Sequence, residues 1–346
     1  MKILHTIFFL FIFSLYPLSA QTPFTNKTDS LILQGIDYTF TCNFDSALHL
    51  FQQVTKKYPD HPVGYFYQAA TLQSKMMDEE STNLEEQFYA LIDTAISIGE
   101  KRLDEKDAWI NFYLGTCYSY KGLFLGKQNK IIPAFLTAKK GVTYLKKSLK
   151  IDSTLYDAWL GLGSYMYWSG YFYRHIKWLP WISDQRKEGI KKIHISICNG
   201  TFSYWVGLNS LAWVEYNQDN FPQAIELFLQ GLRKYPNSRF FLWGVGDCYY
   251  KMGKHQEAVE VYEKLLQSII HETLNNGFNE IECRTHLMVS YFYIEEYEKS
   301  YHHATAILAR KTDEKIAHRV EKHYKTAEDF RRRCLPFLQP KMSTEF

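Results

Sequence analysis

The chain has 346 residues, of which 46% are apolar, 22% charged and 17% aromatic, a composition that excludes a disordered or low-complexity protein. Forty basic side chains against 37 acidic ones, with a sequence pI of about 8.3, give no basic footprint, so no nucleic-acid partner is expected. The length suits two domains or one elongated array of repeats.

Residues 1–20 read as a secretory leader. Lys2 supplies a positive start, Ile7 to Tyr16 an apolar run, Pro17 a break, and Leu18-Ser19-Ala20 a cleavage site before Gln21. Leu18 is larger than the residue usual there, which leaves open an uncleaved N-terminal anchor. The expected location is exported, periplasmic or extracellular. No later apolar run reaches about 18 residues, so no further membrane span is expected.

After a linker over 21–27, a helix-turn-helix unit recurs with a period of about 34 residues. A frame opening at Thr28 places Gly35, Tyr38, Ala47, Phe51, Val54 and Pro59 at positions 8, 11, 20, 24, 27 and 32. The same frame from Trp205 gives Leu211, Ala212, Ala224, Phe228, Gly231 and Pro236. From Arg239 it gives Val245, Gly246, Tyr249, Ala258, Tyr262 and Leu265, and from Ile281 a degenerate copy with Leu287, Tyr291, Ala304 and Ile307. This joint spacing resembles the tetratricopeptide repeat. The resemblance implies an all-α, right-handed superhelical solenoid. Its small residues at 8 and 20 let helices approach, and its aromatics at 11 and 24 fill the space between neighbours.

The middle frames, opening at Pro62, Ala108 and Tyr156, are lengthened. Their excess lies at Met76 to Asn83, read as a polar loop or helix extension, at Leu123 to Pro133, and at Tyr171 to Ile182. Second helices are expected over Pro133 to Lys150 and Asp184 to Cys198, with Gly141 or Gly189 where helices approach closely. The expected organisation is an array over 28–310, with units near 28–61, 62–107, 108–155, 156–204, 205–238, 239–280 and 281–310. A capping helix over 311–335, whose apolar positions include Ile316, Val320, Tyr324, Ala327 and Phe330, precedes a tail over 336–346 marked by Pro336 and Pro340.

Six cysteines lie far apart with no CxxC pair, and Cys117 and Cys248 occupy equivalent positions inside first helices, which favours small buried residues over disulfides. No HExxH, GxSxG, Walker loop or strand-borne GxGxxG occurs, so neither a metal, nor a cofactor, nor a catalytic site is expected.

The resemblance implies that positions 2, 5, 9, 12 and 13 of each first helix line the inner face. Those slots hold Trp109, Phe112 and Tyr120; Tyr167 and Trp168; Asn209, Trp213 and Tyr216; Phe240, Trp243, Asp247 and Tyr250; and Phe292 and Tyr293. The family's carboxylate clamp of Lys and Asn is not reproduced, since Asn209 is followed by Trp213, and Trp243 by Asp247. Two readings stand: an aromatic groove for a partner peptide or helix, or rings covered by the inserts and neighbouring helices.

In the third insert, Tyr171, Phe172, Trp178 and Trp181 read first as core filler, with a lipid-touching segment or a partner-binding loop as the other readings. Trp178 to Gly189 is similar to a segment of long-insert tetratricopeptide proteins of bacterial envelopes. The expected function is therefore a non-catalytic protein-interaction scaffold or adaptor of the cell envelope. A membrane-surface accessory with peripheral lipid contact and a glycan-binding module are the alternatives.

Overall fold

The protein is described by a computed structural model that covers residues 21–104, 106–173, 184–270, 277–312 and 314–338. The leader-like segment, Trp178 and Trp181 lie outside these residues, and Phe172 is described only through its place in a helix. Among the described residues there are fifteen helices and no strand. They are α1 (Asn26–Phe40), α2 (Phe44–Lys57), α3 (Pro62–Asp78), α4 (Glu85–Lys101), α5 (Ala108–Lys127), α6 (Ile131–Ile151), α7 (Asp157–Tyr173) and α8 (Arg186–Asn199). They continue with α9 (Tyr204–Asn217), α10 (Phe221–Lys234), α11 (Arg239–Lys251), α12 (His255–Ile270), α13 (Phe278–Tyr293), α14 (Tyr297–Ala309) and α15 (Glu314–Leu338). Each helix packs on the next, giving an all-α superhelical solenoid.

Local chemistry starts and stops these helices. Side chains of Thr25, Asn43, His61 and Asp107 accept hydrogen bonds from first-turn N–H groups of α1, α2, α3 and α5, satisfying donors that the helix itself cannot. Six hairpin turns end on one residue with positive φ: Cys42, Glu80, Asn129, Asp219, Gly253 and Glu295. In each, the next N–H reaches back five residues to a helix carbonyl, as in Asn43 N to Tyr38 O at 2.9 Å and Glu296 N to Tyr291 O at 2.9 Å. This Schellman closure reverses the chain within three residues. Only one of the six is glycine, so the other five carry the steric cost of a left-handed Cβ.

The lengthened frames divide their excess between helix and turn. At Met76 to Asn83, α3 takes the first three residues and ends at Asp78, and a short connection leads to α4 at Glu85. Leu123 to Pro133 is absorbed by α5 and α6, which are 20 and 21 residues long. These long pairs touch backbone to backbone. A Cβ on Gly141 would lie 2.7 Å from the Gly115 carbonyl oxygen, and one on Gly189 would lie 2.6 Å from that of Gly163. The last helix passes through Pro336 to Leu338, three residues beyond the expected end; a proline in a final exposed turn loses little.

The core is continuous from Ile32 to Cys248, followed by clusters around Tyr262 and around Ile307. All six cysteines are free thiols; Cys117 and Cys248 are buried in α5 and α11, and burial holds both thiols well above their ordinary pKa.

A second set of contacts joins distant repeats. Phe40 of α1 stacks on Tyr235 and Phe241, each at 5.4 Å, while Tyr235 Oη donates to Asp37. Asp78, the last residue of α3, takes Arg239 Nε at 2.8 and 3.0 Å, with 3% and 7% of the two side chains exposed. Arg319 of α15 reaches Glu80 at 2.7 Å, and Asn279 of α13 donates to the Asp78 carbonyl. The ends of α1 and α3 are thus sewn to α11, α13 and α15. This seam covers part of the inner face with the chain's own later repeats.

Candidate partner-binding face

The seam divides the expected groove residues. Trp109 and Phe112 are buried: the Trp109 indole donates to the Gln21 carbonyl at 3.0 Å and meets Phe112 and Phe202 edge-on. Tyr167 is fully buried, its hydroxyl donating to Val214 O at 3.2 Å and Asn217 Oδ1 at 2.9 Å, so it ties α7 to α9. These three are core, because the α8–α9 turn and the N-terminal linker cover the positions that an open array would expose. Buried Asp157 holds that turn by accepting from the Thr201 and Phe202 N–H groups at 2.9 and 2.8 Å. Tyr120 packs on Phe66, and burial pushes its phenol up to about 12. Phe240 sits edge-on to Phe40 and Phe44 within the seam. Trp168 stacks edge-on between Tyr167 and Tyr171. Phe292 lies under Phe330 and the Arg333 guanidinium of the last helix.

What remains together is a ladder across α9, α11 and α13. Trp213 and Tyr216 meet edge-on at 5.3 Å. On the next helix Trp243 and Tyr250 flank Asp247, and the imidazole of His286 on α13 meets both rings, at 6.4 and 4.6 Å. Tyr293, 58% exposed, stacks on His255 at 4.7 Å and closes the row. These rings are half-buried because each first helix turns one side to its own second helix and another to its neighbour. Trp213, for example, rests on Phe228, and Trp243 on Tyr262.

Polar groups converge under the rings. Asp247 Oδ1 accepts from the Tyr262 hydroxyl at 2.6 Å, and His286 Nδ1 lies 4.0 Å from the same oxygen. Burial pushes the Asp247 carboxyl up to about 7; Glu282 adds to the rise, and the Tyr262 hydrogen bond and Lys251 oppose it. Burial pushes His286 down to about 4, with the positive charges of Lys251 and Lys322 and the neighbouring His323 acting the same way. The His286–Asp247 contact is therefore not an ion pair near neutral pH. Asn209 Oδ1, His286 Nδ1 and His323 Nε2 have no hydrogen-bond partner within the protein. His286, His255, Glu282 and His323 were not among the sequence candidates. The signal available was Glu282 and His286 at i, i+4, one helix face turned toward the position-9 slot of the preceding repeat.

Among the described residues no group of three or more His, Cys, Asp or Glu could hold a metal ion, and no helix is long and apolar enough to cross a membrane.

The comparisons agree with this architecture. Residues 209–270, which span much of the ladder, match the family model described as "Tetratricopeptide repeat". The protein CTR9 homolog of Arabidopsis thaliana is 23% identical over 155 residues, 44% of this chain, and the match spans only 13% of that relative's length. A chain of the APC/C Cut9–Hcn1 hetero-tetramer is similar with a TM-score of 0.53 and 14% identity, over 90% of this chain and 57% of that one. The C-terminal part of a TPR repeat-containing protein from Cytophaga hutchinsonii has a TM-score of 0.47 and 17% identity, covering 88% and 98% of the two chains. Residues 209–270 thus match tetratricopeptide repeats, and the chain as a whole has the all-α superhelical solenoid fold of such arrays.

Proposed function

We propose that the protein is a non-catalytic scaffold that binds a partner peptide or helix across α9, α11 and α13, with Trp213, Trp243 and Tyr250 as apolar anchors. The carrying observation is that Trp213, Tyr216, Trp243 and Tyr250 stay partly exposed side by side on the first helices of successive repeats. Such rings offer a partner's apolar side chain a large contact area at low entropic cost. The occupied end of the inner face narrows the proposal to the later repeats, since Trp109, Phe112 and Tyr167 are already spent in the core. Tetratricopeptide scaffolds generally bind protein partners, which supports the reading at the level of the fold alone.

The test starts from a peptide selected by phage display on the full chain. Trp213→Ala/Trp243→Ala should weaken its dissociation constant by about 30-fold or more, the scale of an aromatic hot spot, with helical content kept. Unchanged affinity in a folded double variant refutes the groove. The Lys2 to Ala20 pattern supports an envelope location, for which fractionation of cells expressing the full chain is the check. Recovery of the protein only with soluble cytoplasm would reject it.

A further inference from the structure

Away from the groove, the tip of the α5–α6 hairpin carries four large aliphatic side chains in the open: Leu123 (59% exposed), Ile131 (65%), Ile132 (73%) and Leu136 (59%). They share one level of the hairpin. Gly122 packs against Ala134 and Ala138, and Gly126 faces Ala134, which sets the last turns of α5 beside the first turns of α6. Ordinary packing does not account for their exposure. The hairpin's other side chains interdigitate normally, with Leu145 fully buried and Val142 nearly so.

The charge that the hairpin itself carries has one sign, while Glu80 and Glu85 of the preceding repeat meet Lys127 and Gln128 on the side turned toward the array. From Ala108 to Ile151 there is no aspartate or glutamate, while Lys121, Lys127, Lys130, Lys139, Lys140, Lys146, Lys147 and Lys150 are all present. Three reach acids elsewhere, Lys121 to Asp93, Lys127 to Glu80 and Lys140 to Glu100. The outer face of α6 reads Ile132, Leu136, Lys139, Thr143, Lys146 and Lys150, a stripe at helical spacing that is apolar at the tip and basic along the shaft. With about 1.5 Å per residue, Lys139 stands about 10 Å above Ile132 and Lys150 about 27 Å above it.

That profile matches an anionic bilayer. Immersing the tip by about 5–10 Å buries the aliphatic side chains among the upper acyl chains and leaves Lys139 at the headgroups, while Lys130 reaches back to them along its own stem. A protein partner would satisfy the aliphatic tip but gives no reason for 44 residues without an acid. We propose that the α5–α6 tip is a peripheral membrane-docking surface selective for anionic lipid.

The test compares the full chain with Ile132→Asp/Leu136→Asp and, separately, with Lys130→Gln/Lys139→Gln/Lys146→Gln. Each is mixed with phosphatidylglycerol–phosphatidylcholine vesicles and with phosphatidylcholine vesicles. Hydrogen exchange across residues 120–140 locates the contact. The first variant should lose about 30-fold in partition to the anionic vesicles, from the loss of two partly inserted aliphatic side chains. The lysine variant should lose about 10-fold or more and lose most of the preference for anionic lipid. Peptides of the tip should exchange more slowly only when anionic vesicles are present. All sites are surface positions, and melting curves like that of the wild type confirm the fold. Equal partition of wild type and folded aspartate variant overturns the proposal, because binding then runs through another part of the chain, such as the apolar run at Ile7 to Tyr16. A wild type that ignores vesicles but sediments as a dimer, made monomeric by Ile132→Asp/Leu136→Asp, also overturns it and identifies the tip as an interface between copies.

Discussion

Removing the Asp78 carboxylate should cost far more than its position in sequence suggests. Asp78 ends α3 and Arg239 begins α11, so each charge sits at the helix end that its sign disfavours. Both are tolerated because they meet. The guanidinium Nε lies 2.8 and 3.0 Å from the carboxylate oxygens, and the side chains are 7% and 3% exposed. Asp78→Ala takes a buried carboxylate away from a buried guanidinium, a change worth up to about 3–5 kcal/mol. Asp78→Leu/Arg239→Met removes both charges and should return to within about 1 kcal/mol of the wild type. The pair also couples repeats that a simple solenoid would leave independent, so Asp78→Ala should lower the cooperativity of unfolding as well as its midpoint. Urea titration followed by far-UV circular dichroism reads both quantities. A loss below about 1 kcal/mol for Asp78→Ala with an unchanged slope, or a double variant as damaged as the single, would refute the seam's role.

Other consequences follow from backbone, burial and charge. Gly189→Ala places a Cβ 2.6 Å from the Gly163 carbonyl and 2.8 Å from the Tyr167 nitrogen, so α7 and α8 must separate; a destabilisation of about 2–3 kcal/mol in chemical denaturation is expected. At the hairpin turns the sign reverses with residue type. Glu295→Gly should stabilise by about 1 kcal/mol by relieving a left-handed Cβ, and Gly253→Ala should cost about as much despite open space around it. The buried imidazoles of His61, His286 and His323 are each pushed down to about 4 by burial. The unfolded chain therefore binds more protons than the folded one between about pH 4 and 6.5, and stability falls as pH drops through that window. Asp247, pushed up to about 7, has the opposite sign, gaining stability as pH falls through 7, so Asp247→Asn should steepen the acid loss in denaturation series from pH 7 to 4.5. Under native conditions a thiol reagent should label Cys198, which is exposed, while Cys117, Cys248, Cys283 and Cys334 react only after denaturation. Rapid labelling of the buried four would contradict the packing.

The ladder was half legible. Trp213, Tyr216, Trp243, Asp247 and Tyr250 follow from repeat position, because a first helix must show one face inward whatever its neighbours do. Trp109, Phe112 and Tyr167 occupy equivalent positions and are buried, because the linker, the α8–α9 turn and α9 lie over them. No local pattern announces that cover. His286 escaped for a different reason: its importance comes from the Asp247 carboxylate and two rings on another helix, and a lone histidine on a helix face carries no such mark. The wrong-signed charges of Asp78 and Arg239 at helix ends were a readable hint of a tertiary partner, though not of which one.

The sequence by itself determined the helices, their pairing and the small residues at their crossings. Those depend on neighbours within one or two repeats, and the repeat period records them directly. It also carried the acid-free run from Ala108 to Ile151. Only the tertiary structure decided that the early inner face would be filled and that partly exposed rings would stay together across α9, α11 and α13. The contacts that fill that face, Trp109 with Gln21 and Tyr167 with Val214, join residues 88 and 47 positions apart, and the seam of Asp78 with Arg239 and Glu80 with Arg319 joins residues 161 and 239 apart. The angle at which each repeat stacks on the last accumulates along the superhelix. Whether its ends meet is therefore a property of the whole array that no single repeat contains.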